Sequence, residues 1–506
     1  MATVTGAATL AVGATAAEAT YTGGTAYYVD CVGGNDAAKG TAPDKAWKSL
    51  ARVNQVTYQP GDSISLRRGT TCTGVLQPKG SGTPSAPITL GAYGSGAQPK
   101  IVGTGGRATV LLRNVQGWHI QDLEITNPGP ADGTARVGIY VQLEDYGIGR
   151  SYRVENVYVH DVPGCDCLDP TLENSGGILF EAMGSTKPTG FDSIKVLRNT
   201  VSGVDNIGIG TLSSWSKRDL FPGGHNSFVP MTNVRVANNT LSNLGGDGIL
   251  LMNTIDGQTE RNTVDGFGLR ATQSHAAVLA YNSDRTIMQH NEITGGAAFP
   301  PSFAFSVDAA TKDIVYQYNY SHDNNGPFVL YCAPAGTFSD GAIIRYNISE
   351  NDKDLDLGGF IIPVVAAGCD NAVTNSKFYN NTIHAPNAAN LVGTLPPYTS
   401  IAFTNNIFAG RAEGATIQDP AGVYSHNLYF NVGPDAVSDG GAVVADPLFN
   451  NPAGPRPAGL RLTCGSPAVD AGTPVPANGG RDYFGNPVSA TDNPNIGAYE
   501  GPCLDS

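Results

Sequence analysis

Long hydrophobic stretches are missing from this sequence, and charged residues are scarce. No apolar run reaches the roughly 18 residues that a membrane-spanning helix needs, so we expect no membrane insertion. Charged residues make up only 15% of the chain and the net charge is −14, which leaves no basic surface for nucleic acid. Long helical periodicity is also absent. Short β-branched runs broken by Gly, Asn and Asp dominate instead, as is typical of strands and tight turns.

The start of the chain and the cysteines indicate export. Residues 1–19 are apolar and end in the small-x-small pattern Ala17-Glu18-Ala19, although the basic region of a secretory signal is missing. We therefore expect a signal-peptide remnant and an extracellular protein. Cysteine pairs in an oxidising compartment are expected to form disulfides; the pairs proposed are Cys31 with Cys72, Cys332 with Cys369, and Cys464 with Cys503. Cys165 and Cys167 stay unassigned, because a zinc half-site of this spacing would need further ligands nearby.

A repeat begins at about residue 100. Each unit has an apolar strand, an Asn, a second apolar strand, a turn rich in Gly, Asn and Asp, and a third strand. The Asn residues that close the first strand are Asn199, Asn239, Asn262, Asn291, Asn319, Asn347, Asn381 and Asn406. Self-similarity of this kind predicts a solenoid of stacked coils. Asn residues at the same bend of successive coils can form a hydrogen-bonded ladder, so we give them a structural role.

Both ends of the chain carry recognisable segments. The opening segment includes Tyr27-Tyr28-Val29-Asp30 and Pro87-Ile88-Thr89-Leu90, and the closing segment includes Asp446-Pro447-Leu448-Phe449 and Ile496-Gly497-Ala498-Tyr499-Glu500. With the repeat, they resemble secreted bacterial right-handed parallel β-helix proteins of the pectate lyase-like, carbohydrate-active superfamily. The resemblance implies an all-β fold with an N-terminal cap and first coils over 20–105, coils over 106–440 that carry the site, and a C-terminal capping segment over 441–506.

Candidate site residues cluster in the turns before the third strand of each coil. Variable loops on a rigid scaffold are the usual place for a cleft. Asp247 in Gly246-Asp247-Gly248-Ile249 resembles the Asp-Gly positions of polygalacturonase-type β-helix hydrolases, although any turn Asp before Gly would look alike. The candidates for catalysis are Asp247, Asp308, Asp323, His322 and His275, and those for substrate binding are Asn324, Asp205, Arg270, Tyr281 and Asp352.

Spacing along the coils suggests a mechanism for these residues. If Asp247, His275 and Asp308 occupy consecutive rungs, the two carboxylates lie about 9–10 Å apart, from the inter-strand distance. Inverting glycosidases hold their carboxylates about 6.5–9.5 Å apart and retaining ones about 5–5.5 Å. The sequence therefore predicts an inverting glycoside hydrolase that acts on a polysaccharide, with His275 and His322 orienting the acids. It needs no cofactor.

Two alternatives stay open. A polysaccharide lyase would use Ca²⁺ held by acidic turns, together with a basic residue for which Arg270 is the nearest candidate. A non-catalytic glycan-binding protein would use aromatic stacking platforms, for which the candidates are Trp118, Tyr140, Tyr146, Trp215, Tyr281 and Phe328. In each case we expect a monomer with no nucleic-acid partner, and the metal requirement is unknown.

Overall fold

Three long parallel sheets make up the protein, and each coil of the chain contributes a strand to successive sheets. The structure is a computed structural model that describes residues 23–130, 133–167, 174–298, 300, 302–352, 364–367, 369–394, 397, 399–433, 438–454 and 456–505. Every pairing between consecutive rungs of the three long sheets is parallel. The predicted parallel β-helix is therefore confirmed. The signal-peptide prediction for 1–19 lies outside the described residues.

The strands are grouped here by sheet. Sheet 1 contains Ala26–Val29, Ser63–Arg67, Ile88–Tyr93, Trp118–Gln121, Ile148–Glu155, Gly190–Leu197, Met231–Ala237, Thr254–Ile255, Gln258–Glu260, Ile287–Gln289, Val315–Gln317, Ile343–Arg345, Ser376–Tyr379, Ile401–Thr404 and Val423–Ser425. Sheet 2 contains Thr71–Thr73, Lys100–Val102, Glu124–Thr126, Tyr158–Val162, Thr200–Val204, Thr240–Leu244, Thr263–Asp265, Glu292–Thr294, Tyr320–His322, Ile348–Glu350, Thr382–His384, Ile407–Ala409, Leu428–Phe430 and Val443–Val444. Sheet 3 contains Ala108–Arg113, Val137–Glu144, Gly176–Met183, Ile207–Ser213, Ile249–Met252, His275–Tyr281, Ser302–Val307, Val329–Tyr331, Val364–Ala367, Asn390–Thr394 and Thr416–Gln418.

A few short elements lie outside these sheets. Ser339–Asp340 pairs with Val373–Thr374 in a two-stranded sheet. The helical segments among the described residues are Leu50–Val53 and the 3₁₀ turns Pro43–Lys45 and Ala458–Leu460. No helix in the described ranges is long and apolar enough to cross a membrane.

A ladder of buried Asn side chains joins the coils at the bend between sheets 1 and 2. The backbone N–H and the Nδ2 of Asn319 both donate to Oδ1 of Asn347, each at 2.9 Å, and Nδ2 also donates to the carbonyl of Met288. The same pattern links every predicted Asn to the next, and Asn427 extends it by one coil. Because a buried amide must be satisfied, each Asn fixes both its own bend and its neighbour's. The structural role predicted for these residues is confirmed.

Sheet 3 bends where two consecutive residues face inward. In the strand His275–Tyr281, both Ala277 and Val278 lie in the core, which interrupts the usual alternation of a strand. The outward residues on either side of the bend, Ala276 and Leu279, belong to a separate apolar cluster on the outer face of the sheet. An apolar outer face of this kind is unusual for a solenoid surface, and it forms the floor of the candidate site.

The closing segment runs along the side of the coils. Residues from 446 onward pack on outward apolar side chains of sheet 2, where Leu462 and Ile496 meet Ile407 and Leu428. Leu460 and Ala498 cover Tyr320 and Ile348 in the same way. This packing explains why apolar residues face outward on the later strands of sheet 2. The prediction that the segment caps the open end of the solenoid stays a prediction.

Four disulfides are present. The pairs Cys31–Cys72, Cys332–Cys369 and Cys464–Cys503 form as the sequence predicted. The two cysteines that the sequence left unassigned, Cys165 and Cys167, are joined to each other across a single intervening residue, with their Cα atoms 5.2 Å apart. The intervening residue is Asp166, which becomes important below.

Candidate active site

A groove of about 330 Å³ lies on the outer face of sheet 3. Its size falls at the lower end of the range for small-molecule sites. We call it the sheet-3 groove. Its floor is apolar and consists of Leu212, Leu250, Met252, Ala276, Leu279, Phe303, Leu330 and Pro334. The remaining lining residues are Asn174, Asp247, Ser274, His275, Tyr281, Ser306, Asp308 and Cys332. The carboxylates of Asp247 and Asp308 therefore lie beside an apolar floor.

Asp247 occupies the turn that leads into the strand Ile249–Met252. Its side chain is almost completely buried, and its Oδ1 accepts a 2.7 Å hydrogen bond from the backbone N–H of Ala276 on the next rung. No described residue donates a hydrogen bond to its other oxygen, Oδ2. Gly248 follows because a Cβ at that position would lie 2.3 Å from the carbonyl oxygen of Ala277. Oδ1 of Asp247 thus links two coils through a hydrogen bond, whereas Oδ2 accepts no hydrogen bond from the described residues.

His275 begins the next strand and lies between two carboxylates. Its Nε2 lies 2.8 Å from Oδ1 of Asp166, and its Nδ1 lies 3.2 Å from Oδ1 of Asp247. The distance between Nδ1 and Asp247 is that of an ion pair. The two groups are not hydrogen-bonded, and Nδ1 has no other hydrogen-bond acceptor among the described residues. Burial opposes protonation of the imidazole, but the charge of Asp247 and the hydrogen bond to Asp166 outweigh it and raise the pKa of His275 to about 10. The ring is therefore an imidazolium at neutral pH.

Asp308 follows the strand Ser302–Val307 at the other end of the groove. Its carboxylate accepts hydrogen bonds from the backbone N–H of Ala309 at 2.6 Å and from the hydroxyl of Ser306 at 3.2 Å. Burial raises the pKa of Asp308 to about 6 against these two hydrogen bonds, and the charge of Asp247 adds to the increase. Tyr281 lies beside it, and burial together with the charge of Asp308 raises the pKa of Tyr281 to about 12. Asp308 is thus a carboxylic acid that keeps its proton under mildly acidic conditions.

The structure places Asp247, His275 and Asp308 on three consecutive rungs of sheet 3. However, Asp308 aligns with Tyr281 and Met252, five positions further along the strand than Asp247. The sequence argument assumed that only rungs separate the two carboxylates. Because the offset along the strand also contributes, the rung count does not fix their separation, and the prediction of inversion loses its basis.

His322 and Asp323 lie away from the sheet-3 groove, on the outer side of sheet 2. His322 lies 3.0 Å from Asp323 and 3.4 Å from Glu292, and its ring stacks on Tyr320. Asp323 also accepts a 2.9 Å hydrogen bond from Arg456 of the closing segment. The structure does not bring these two residues into the sheet-3 groove, because the strand Tyr320–His322 belongs to sheet 2 and its outward side chains face the closing segment.

Asn324 and Asp352 are buried inside the coils and cannot contact a sugar. The Nδ2 of Asn324 donates to Oδ1 of Asp352 at 2.8 Å and to the hydroxyl of Ser321 at 3.0 Å. Asp352 also accepts a 2.8 Å hydrogen bond from Ser349, and burial raises its pKa to about 6 against these bonds. The two residues form a short second ladder at the bend after sheet 2. Their assignment to substrate binding is therefore corrected.

Asp205 and Arg270 pair with each other outside the groove. Arg270 donates to the carboxylate of Asp205 and, at 2.8 Å, to the side chain of Asn243. These residues line a separate depression together with Asp161 and Pro163. The described residues that line the sheet-3 groove include no Lys or Arg, so the basic residue considered for a lyase is not in place.

Most of the aromatic candidates are structural. Trp118, Trp215 and Phe328 lie in the core. Tyr140 is buried on the outer face of sheet 3, where its hydroxyl donates to Glu181. Of the aromatic platforms considered, Tyr281 lines the groove. Among the described residues, no group of three or more His, Cys, Asp or Glu is arranged to hold a metal ion.

Sequence reasoning missed Asp166 and Asn174. Asp166 lies 109 residues before His275 in the chain, in a turn of irregular length, so no spacing links them. One signal was available: the cysteines on either side of Asp166 had no other partner in the proposed pairing. Asn174 is buried and reaches the groove from the same connection.

Comparison with known proteins finds a curated relative and solved structures that are named as lacto-N-biosidases. No protein-family model matches the chain. A lacto-N-biosidase of Bifidobacterium longum subsp. longum is 26% identical over 95% of this chain, and the chain spans 36% of that relative's length. The crystal structure of a GH136 lacto-N-biosidase from Eubacterium ramulus has a TM-score of 0.61 at 22% identity, covering 80% of this chain and 67% of that one. The likeness to a carbohydrate-active β-helix protein is thereby confirmed.

Proposed function

We propose that this protein is an exported glycoside hydrolase whose active site is the sheet-3 groove. The observation that carries the proposal is that two carboxyl groups with different surroundings line one groove: burial raises the pKa of Asp308 to about 6, whereas Asp247 lies 3.2 Å from His275. Carboxyl groups whose environments differ in this way are the usual means of dividing acid and base roles between two residues. The relative's activity as a lacto-N-biosidase supports the same reaction class.

Each side chain has a distinct part in the proposed reaction. Asp308 donates its proton to the glycosidic oxygen as the bond to the anomeric carbon breaks. The carboxylate of Asp247 stabilises the positive charge that develops at the sugar ring, and it accepts the proton of the water whose oxygen bonds to the anomeric carbon. His275 holds Asp247 in place and keeps its negative charge partly compensated.

The floor of the groove suits the less polar face of a sugar. Leu250, Leu279 and Phe303 present an apolar surface between the two acids, and Tyr281 adds a ring at one edge. Sugar rings bind such surfaces through their C–H faces while polar groups at the ends fix orientation. We therefore propose a glycan as substrate, with the lacto-N-biosyl unit of the relative's name as the first candidate.

The test is product release from a panel of extracellular polysaccharides and lacto-N-biosyl oligosaccharides. We expect a new reducing sugar with wild-type protein, and at least a thousandfold loss of kcat in Asp308→Asn and Asp247→Asn. Asp256→Asn is the matched control, because Asp256 lies in a neighbouring coil and its side chain pairs with Arg285 on the surface. It should retain full activity.

Three results would contradict the proposal. Ultraviolet absorbance of an unsaturated product would indicate a lyase instead. Binding without release of product would indicate a glycan-binding protein. Full activity of Asp308→Asn would place the chemistry elsewhere.

A further inference from the structure

The loop that carries Asp166 has an unusual construction. It follows the strand Tyr158–Val162, and the disulfide between Cys165 and Cys167 closes a small ring around Asp166. The backbone N–H of Cys165 donates to the hydroxyl of Ser175 at 2.9 Å. The carbonyl of Cys167 accepts a 2.7 Å hydrogen bond from Asn206. Both ends of the ring are thus fixed to the scaffold.

Asp166 contacts a strand that lies several rungs away along the axis of the β-helix. In the sequence its loop precedes the strand Gly176–Met183, whereas His275 begins a strand three rungs further on. Three rungs separate these two strands by about 14 Å along the axis. The Oδ2 of Asp166 accepts hydrogen bonds from the backbone N–H and the hydroxyl of Thr272, at 2.6 and 2.8 Å. Its Oδ1 faces His275. Both oxygens are therefore used to hold the segment that begins the catalytic strand.

The ring of His275 is closely surrounded. The imidazole is completely buried, and the backbone of Gly246 approaches it so closely that a Cβ at that position would lie 2.9 Å from Cε1. The charged groups that face it are Asp166 and Asp247. Asp166 in turn has its pKa held well below the ordinary value, because hydrogen bonds from His275 and Thr272 outweigh its burial. The cluster thus carries two carboxylates and one cation in a closed space.

We propose that Asp166, held in the ring of the Cys165–Cys167 disulfide, is a positioning residue that fixes the orientation and charge of His275 beside Asp247. The inference rests on the proposed function, in which Asp247 takes part in the reaction. It assigns the disulfide to the active site rather than to overall stability. Oxidative closure of the ring is then a requirement for an active enzyme.

Titration of His275 tests the proposal without any substrate. Protein labelled with ¹⁵N and ¹³C in histidine is followed by NMR, and the signal of His275 is assigned from its loss in His275→Gln. In wild-type protein we expect it to stay protonated above pH 8. In Asp166→Asn, and in Cys165→Ser combined with Cys167→Ser, we expect the midpoint to fall by about 1–3 pH units. The control removes another disulfide, with Cys464→Ser and Cys503→Ser, and should leave the midpoint unchanged.

Activity supplies the second measurement. In Asp166→Asn we expect kcat to fall at least about tenfold, because a small displacement of catalytic groups has large effects. An unchanged His275 midpoint in Asp166→Asn would overturn the positioning role. An unchanged midpoint in the double serine variant alone would overturn the role of the disulfide. If wild-type protein cleaves no glycan, the proposed function fails while the titration result still stands.

Discussion

Replacing Asn319 with alanine tests the ladder at the middle of the solenoid. The Oδ1 of Asn319 accepts hydrogen bonds from the backbone N–H and the Nδ2 of Asn291, at 2.9 and 3.0 Å. Its Nδ2 donates to the carbonyl of Met288 and to Oδ1 of Asn347, both at 2.9 Å. Alanine would leave the backbone N–H of Asn291 and one N–H of its Nδ2 buried without an acceptor.

The magnitude follows from those two groups. A buried polar group that loses its partner costs about 1–3 kcal/mol, so the free energy of unfolding should fall by at least about 2 kcal/mol. Backbone strain adds nothing, because the left-handed residue at this bend is Tyr318 and not Asn319. The effect is therefore assigned to the amide alone.

Equilibrium unfolding in guanidinium chloride, followed by far-UV circular dichroism, measures this loss. Asn387→Ala is the matched control, because Asn387 is exposed and its Nδ2 makes a single 3.3 Å contact with Asn351. Its effect should stay within about 0.5 kcal/mol. If Asn319→Ala lost no more than this control, buried amides would not be what joins the coils.

Three further predictions concern the groove and its surroundings. His275 should stabilise the fold by up to about 5 kcal/mol, because its pKa in the folded protein is about 10 against an ordinary 6.5. That contribution is complete below pH 6.5 and is lost as pH rises through 10, so the melting temperature of wild type minus that of His275→Gln should shrink over this window. The value of kcat/KM should fall as pH rises through about 6, where Asp308 loses its proton, and a flat profile from pH 5 to 8 would contradict the acid role. His322→Ala and Asp323→Asn should leave kcat/KM within twofold of wild type, because both residues face the closing segment, and a tenfold loss would place the site on sheet 2.

The repeat and its bends were predictable from the sequence because they depend on local chemistry. Each Asn that closes a strand repeats at a spacing close to one coil, and the ladder follows directly from stacking those positions. Cys31 with Cys72 and Cys464 with Cys503 were predictable since each pair brackets one segment. Even so, Asn427, which extends the ladder after the strand Val423–Ser425, was missed.

The site was only partly predictable, because it depends on which sheet a residue faces and how far along the strand it lies. Asp247, His275, Tyr281 and Asp308 line the groove as expected. His322 looked equally suitable in the sequence, but the sheet to which a short strand belongs depends on the length of the turn before it. Asn324 resembled a sugar contact, yet a polar residue at a bend can as easily point inward. For Asp166 the sequence offered only the indirect signal of its two flanking cysteines, since its contact with His275 joins coils that are 109 residues apart in the chain.

Leaving-group dependence in Asp308→Asn is the most direct test of the proposed active site. A glycan needs its leaving oxygen protonated, whereas a dinitrophenyl glycoside or a glycosyl fluoride of the same sugar does not. We expect Asp308→Asn to lose at least about a thousandfold in kcat/KM on the glycan and less than about tenfold on the activated substrate, with Asp247→Asn impaired on both. Equal losses of Asp308→Asn on the two substrates, or none on either, would contradict the role of Asp308 as the acid.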